Sequence, residues 1–140
     1  MKNWLTKEFF INLLRTDVKE WNKLTAKLTK IDLNGADLND ANLNHADLNH
    51  ANLNGANLIH AKLNHAKLNH AKLDFSAWPL WCGSFDVKVD KKIAAQLIYH
   101  ICKLDCNDAE FLKIRNNTDL IAFANEFHRV DECGEIEEVK

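Results

Sequence analysis

Apolar and polar positions alternate along residues 26–75 with a period of five. Read in fives, the chain runs AKLTK, IDLNG, ADLND, ANLNH, ADLNH, ANLNG, ANLIH, AKLNH, AKLNH, AKLDF. Leu holds the third place of every unit: Leu28, Leu33, Leu38, Leu43, Leu48, Leu53, Leu58, Leu63, Leu68 and Leu73. The first place is Ala except at Ile31, the second is Asp, Asn or Lys, the fourth is mostly Asn, and the fifth is mostly His or Gly. A period of five fits neither a heptad nor strand alternation. It also rules out an amphipathic helix, because a five-residue step carries Leu around a helix of ~3.6 residues per turn instead of along one face. The pattern predicts a backbone that turns once per unit and buries one large side chain each time.

The motif A(D/N)LXX resembles that of the pentapeptide-repeat family. The resemblance implies a mainly β fold: a right-handed, four-sided β-helix with four units to a coil, Leu and the small first residue inward, the other three places outward. Ten units then make about two and a half coils. Leucines twenty apart, such as Leu28, Leu48 and Leu68, are expected to stack at the inter-strand spacing of ~4.8 Å. Asn at the fourth place suits a turn. Asn34 over Asn54, or Asn44 over Asn64, is expected to form an amide ladder.

Four segments are expected: a helical cap over 1–25, the array over 26–75, an α-helical module over 76–134, and an acidic tail over 135–140. In the first, Phe10, Leu13, Leu14, Val18 and Trp21 recur at helical spacing, which predicts helices from about Lys7 to Arg15 and from Asp17 to Leu24. Asp17 and Glu20 have capping-box spacing. The pair is expected to cover the unpaired edge of the array. Beyond Ser76, Phe85, Val87 and Val89 alternate like a short strand. Asp90 can cap a helix to about Leu104 with a stripe of Ile93, Leu97, Ile101 and Leu104. Asn107 with Glu110, and then Thr118, can start two short helices ending near Arg115 and Phe127. The tail is expected to fray. WPLWCGS, QLIYHICKLDC and FHRVDECG resemble a helical module that accompanies short pentapeptide arrays in bacterial and phage proteins.

Charge adds little steering, since the chain of 140 residues carries a net −2. The array is neutral overall but polarised, with Asp32, Asp37, Asp40 and Asp47 in its first half and Lys62, Lys67 and Lys72 in its second. Residues twenty apart predict surface columns: Lys27, Asp47 and Lys67; Asp40 and His60; His45 and His65; His50 and His70. The histidines are expected to be solvated corners. Ile59 and Phe75 break the pattern and are expected to be buried under the following segment, Ile59 by the stretch around Pro79. No apolar run is long enough to span a bilayer, and no signal-peptide pattern opens the chain.

Cys82, His100, Cys102, Cys106, His128 and Cys133 all lie in the C-terminal module. No cofactor is expected. Buried Cys and a core His100 account for them, because Cys acts as a small hydrophobe. The alternative is structural zinc, which needs four N or S ligands; the best tetrad is Cys82, His100, His128 and Cys133, with Cys106 as substitute and Cys102 the poorest. No nucleophile motif or phosphate loop is present. The chain therefore reads as a non-enzymatic, cytoplasmic binding protein of a bacterial or phage-infected cell. Its walls would meet a protein partner, with neither nucleic acid nor membrane bound directly and a homodimer compatible with the pattern. One alternative is a DNA mimic acting on gyrase or a defence nuclease, since the repeats resemble those of quinolone-resistance proteins; a neutral array fits it poorly. Another is a zinc-stabilised phage adaptor or inhibitor.

Overall fold

The computed structural model describes residues 5–79 and 83–137. The chain forms two compact units, Met1–Val89 and Asp90–Lys140. The first holds helices α1 (Lys7–Thr16) and α2 (Val18–Thr25), followed by the array; the second holds α3 (Lys91–Cys102), α4 (Ala109–Arg115), α5 (Thr118–Ala124) and α6 (Val130–Cys133).

In the array, residues twenty apart pair in parallel: Asp32 with Asn52, Asp37 with Asn57, Asn42 with Lys62, Asp47 with Lys67, and Asn52 with Lys72. Four units therefore complete one coil. Only one residue per unit pairs before the chain turns, so the coil is held by isolated bridges among the described residues. Among the described residues the regular elements are six helices.

The reason for five residues is visible in the bonds. From Leu33 to Leu68 each Leu N–H reaches a carbonyl of the next coil, as Leu33 N to Asn52 O at 2.8 Å, and each Leu carbonyl closes a turn on the following Ala, as Ala36 N to Leu33 O at 3.0 Å. The second place supports that turn. The side-chain oxygens of Asp32, Asp37, Asn42, Asp47, Asn52 and Asn57 each accept from the backbone N–H two residues on, an Asx-type bond that Leu or Val could not make. The fifth place has positive φ throughout: Gly35, Gly55, Asp40, His45, His50, His60, His65, His70 and Phe75. Leu33 to Leu73 and Ile31 to Ala71 are buried, each Leu contributing roughly 1.5–3 kcal/mol.

Leu28 does not join that ladder. It is half-buried, and its N–H turns back to Thr25 O at 2.9 Å. The unit 26–30 is the exit of α2, and Lys27 does not stack on Asp47. Helix α2 fills its place: Trp21 Nε1 donates to Asp47 O at 2.9 Å, and Asp47 N donates to Asn22 Oδ1 at 2.8 Å. Lys7 Nζ bonds Asn34 O, Arg15 bonds Asp37 O, and Asn22 Nδ2 bonds His45 O. The helices thus cover the first edge with side chains that satisfy its backbone groups. Trp21 and Leu14 are fully buried beneath them.

The array also runs further than its sequence period. Asn57 pairs with Ala77 and Lys67 with Lys88. Leu58 N reaches Ala77 O, but Leu63 N reaches Gly83 O and Leu68 N reaches Lys88 O. The step grows by one between the Ala77 and Gly83 bonds, and backbone pairing continues to Lys88 in a third coil. Asp86, with φ 55, stands at a fifth place; Val87 and Val89, half-buried, stand where Ala and Leu stood before. Of the expected strand over 85–89, Phe85 and Asp86 form a corner turn and Lys88 alone pairs, with Lys67, on the last side of the coil; the unit boundary falls after Val89, past the expected boundary at Phe75.

In the second unit, Tyr99, Cys102, Ala124, Phe127 and Ile136 form one buried cluster. The expected α3 stripe is corrected: Ile93, Ala95, Tyr99 and Cys102 face inward, while Ile101, Leu104 and His100 are exposed. Tyr99 and Cys102 carry the inward face, rotating it off Ile101. Asp108 caps α4 where Asn107 was expected, and Asn117 caps α5 where Thr118 was expected. The tail does not fray over 135–137, because Ile136 is buried. Residues 138–140 lie outside the described part.

Candidate functional site

The outer surface of the array is a set of ordered columns. At the second place one column runs Asp32, Asn52, Lys72, and the others run Asp37, Asn57, Ala77; Asn42, Lys62; and Asp47, Lys67, Lys88. Asn52 Nδ2 donates to Asp32 Oδ1 at 3.0 Å and Asn57 Nδ2 to Asp37 Oδ1 at 3.3 Å. Lys67 Nζ lies 3.7 Å from Asp47 Oδ2, an exposed pair that contributes little to stability. At the fourth place the amides mostly cap backbone and do not form the expected ladder. Asn44 Oδ1 accepts from Asn64 N and Asn54 Oδ1 from Asp74 N, and Asn34 Nδ2 donates to Asn54 O. Only at Asn69 Nδ2 to Asn49 Oδ1, 3.1 Å, does one side-chain amide bond the next among these pairs.

The fifth place brings rings together. His45 stacks on His65 and His50 on His70, with centroids 4.9 Å apart in both. His60 Nδ1 is 3.4 Å from Asp40 Oδ1, and His65 Nδ1 is 3.9 Å from Asp86 Oδ2. Two apolar residues interrupt this polar surface, and neither is buried as expected: Ile59 is 45% and Phe75 81% exposed. Residues 80–82 lie outside the description, and the described part of the stretch around Pro79 leaves Ile59 open. Phe75 stands in the column of Gly35 and Gly55, where positive φ directs the side chain outward. Phe85, at the fourth place of the third coil, is 63% exposed.

The family model of pentapeptide repeats matches this region in eight copies, over residues 26–55 and 36–74. Residues 26–74 are an array of pentapeptide repeats. Among solved structures, it is similar to a pentapeptide repeat protein from the thylakoid lumen of Arabidopsis thaliana, with 28% identity and a TM-score of 0.25, over 51% of this chain and 54% of that one. The chain thus spans about half the length of that structure. No curated protein matches it significantly.

The second unit carries the described cysteines, and they are scattered. Among the described residues, no three His, Cys, Asp or Glu side chains converge on a point that could hold a metal ion. His100, His128 and Cys133 are exposed and do not form such a group; Cys82, the fourth member of the expected tetrad, lies outside the described residues. His100 is not a core histidine. It lies edge-on to Tyr99 and 5.6 Å from the Phe127 ring. Cys102 is the buried one, and Cys106 and Cys133 are exposed thiols. Burial pushes the Cys102 thiol above its ordinary value, with Arg115 pulling it partly back.

The feature that sequence reasoning missed is the seat of residues 134–137. Asn125 brackets Ile136 from both sides: Ile136 N donates to Asn125 Oδ1 at 2.7 Å, and Asn125 Nδ2 donates to Ile136 O at 3.1 Å. Tyr99 Oη donates to Gly134 O at 2.6 Å. The signal available in the sequence was one aliphatic residue, Ile136, two positions after Gly134 in an otherwise acidic run.

Proposed function

We infer that the protein is a non-enzymatic binding module. Its array is a right-handed, four-sided β-helix of three coils acting as a rigid wall for a protein partner in a reducing cytoplasm. One observation carries the reading. Ile59 and Phe75 replace the Asn and the Gly of the repeat, and both stand open on a backbone fixed by inter-coil bonds. Apolar side chains held in place cost little ordering on association, which favours them as anchors. They border the wall built from units 36–40 and 56–60. Between them lie Asp37 and Asn57, and past Ile59 stand Asp40 and His60; the bonds within each pair leave a surface of fixed polarity.

The test restores the repeat. Ile59→Asn and Phe75→Gly return both places to the family pattern and leave the inward leucines untouched. Wild-type protein used as bait in its host lysate should retain a partner that the double variant loses, with circular dichroism unchanged between the two. Equal capture by both, or by neither, would remove this wall as the binding surface.

A further inference from the structure

The geometry points to a second binding site, in the α3–α5 groove of the C-terminal unit and independent of the array: a receptor for an extended acidic peptide with one aliphatic anchor, held in cis by residues 134–137. Four successive carbonyls each accept from a different side chain. Tyr99 Oη bonds Gly134 O, Lys103 Nζ bonds Glu135 O at 3.3 Å, Asn125 Nδ2 bonds Ile136 O, and Arg115 bonds Glu137 O at 3.3 Å. A chain segment within a fold usually satisfies its carbonyls through backbone ladders, which make up about two-thirds of protein hydrogen bonds. Here the main chain is read by side chains instead. A single residue enters an apolar pocket: Ile136, 3% exposed, seated among Tyr99, Cys102, Ala124 and Phe127.

That division of labour is how grooves recognise linear peptides, with main-chain bonds holding any extended segment and a pocket selecting one side chain. The clamp does not depend on what residues 135 and 137 carry, so a segment from another protein can occupy it. Lys103 and Arg115 set the preference for the positions on either side of the anchor. Each donates to a backbone carbonyl of a glutamate, which places cationic groups beside the neighbouring side chains and favours acidic ones. The fitting partner carries acidic–aliphatic–acidic residues in extended form. Gly134 joins this segment to α6 with φ 82 and ψ 149, a region open essentially to glycine, so one residue directs the segment into the groove.

The experiment uses the full chain and a fluorescein-labelled peptide with the sequence of residues 134–138, Gly-Glu-Ile-Glu-Glu. In Ile136→Glu a charge replaces the anchor, and the segment leaves the pocket. This variant should bind the peptide at least about tenfold more tightly than wild type, because the cis segment leaves under about a tenth of wild-type grooves open. Adding Asn125→Ala to it, or replacing the peptide's Ile with Glu, should abolish binding. Equal binding to wild type and variant, or none to either with helicity intact, would overturn the proposal. Should Ile136→Glu fail to fold, hydrogen exchange on wild type decides. An Ile136 amide exchanging at least about tenfold faster than the α3 amides marks a segment that releases alone; exchange in step with α3 makes it an ordinary part of the core and ends the proposal. Concentration-dependent dimers dissolved by the peptide would assign the groove to a second copy and overturn the partner reading.

Discussion

The array and the C-terminal unit solve the same problem, satisfying backbone and burying apolar area, by opposite means. In the array the second-place carbonyls and Leu N–H groups pair about one coil away, Leu carbonyls close the turns, and the same side chain, Leu, is buried from Leu33 to Leu73. The instruction is repeated and therefore tolerant of any single unit. In the C-terminal unit five different residue types meet in one cluster drawn from α3, α5, the stretch after α5 and the terminal segment. Nothing there is repeated, and side chains such as Asn125 and Arg115 do the bonding that backbone does in the array. Repetition makes the first region's structure local, and heterogeneity makes the second depend on contacts distant in sequence.

The largest effect tests whether place in the repeat or place in the coil decides. Leu48→Ala, in a middle side, should cost roughly 2–5 kcal/mol in a urea series. Leu28→Ala, at the same repeat place but at the helix exit, should cost under about 1 kcal/mol. Equal losses would mean that unit 26–30 is a coil wall after all.

The legibility of the chain follows the same division. One buried Leu per unit and both N-terminal helices with the Asp17 cap were readable, because period and capping are local signals, whereas the coil length and the inward Ala followed from the family resemblance. The start and finish of the array were not. Unit 26–30 keeps the motif but yields to α2, whose Asn22 and Trp21 bond Asp47 first. Residues 83–88 lack the motif but pair as a coil, since backbone bonds need only the path and not the Leu. In the C-terminal unit α4 and the start of α5 were readable to within a residue or two, while the end of α5, the short α6 and the inward face of α3 were not. Ile101 and Tyr99 are both apolar enough, and the choice is made by Phe127 and Ile136, far along the chain.

Two substitutions of comparable size probe the side-chain bonds at each end. Trp21→Phe keeps the ring but leaves Asp47 O without its donor, which should cost roughly 1–3 kcal/mol, read as a loss confined to the array by hydrogen exchange. Gly134→Ala forces a side chain into a glycine-only conformation, for roughly 1–3 kcal/mol. It should speed exchange at Ile136 while leaving amides 52–72 unchanged. Coupled losses in both units from either change would refute their independence.

The comparison also has a pH axis. Cys102 holds its proton more tightly folded than unfolded, because burial disfavours the thiolate. A raised acid pKa gives stability that is full below the unfolded value and falls as pH rises through it toward the folded one. Thermal melts should therefore show the C-terminal unit weakening above about pH 9, at no more than about 1.4 kcal/mol per pH unit. Cys102→Ala should abolish that slope. Iodoacetamide at neutral pH should modify Cys106 and Cys133 well before Cys102.

The smallest effect lies at an array corner and has the opposite sign. Phe75 stands at φ 60, in the left-handed region, where its fellows in the column are Gly35 and Gly55. A non-glycine residue there carries roughly 1–2 kcal/mol of strain, and its ring, largely exposed, recovers little by burial. Phe75→Gly removes the strain but adds roughly 0.5–1 kcal/mol of unfolded-state entropy. The two nearly offset, leaving a gain of up to about 1 kcal/mol. A β-branched Phe75→Val keeps an apolar residue at the same φ and should lose stability instead. If the glycine variant is measurably less stable than wild type in a urea series, the Phe75 ring is part of the array's packing and not a contact surface. A gain together with loss of the captured partner would mean that phenylalanine is kept at this corner for binding, at a cost to the fold.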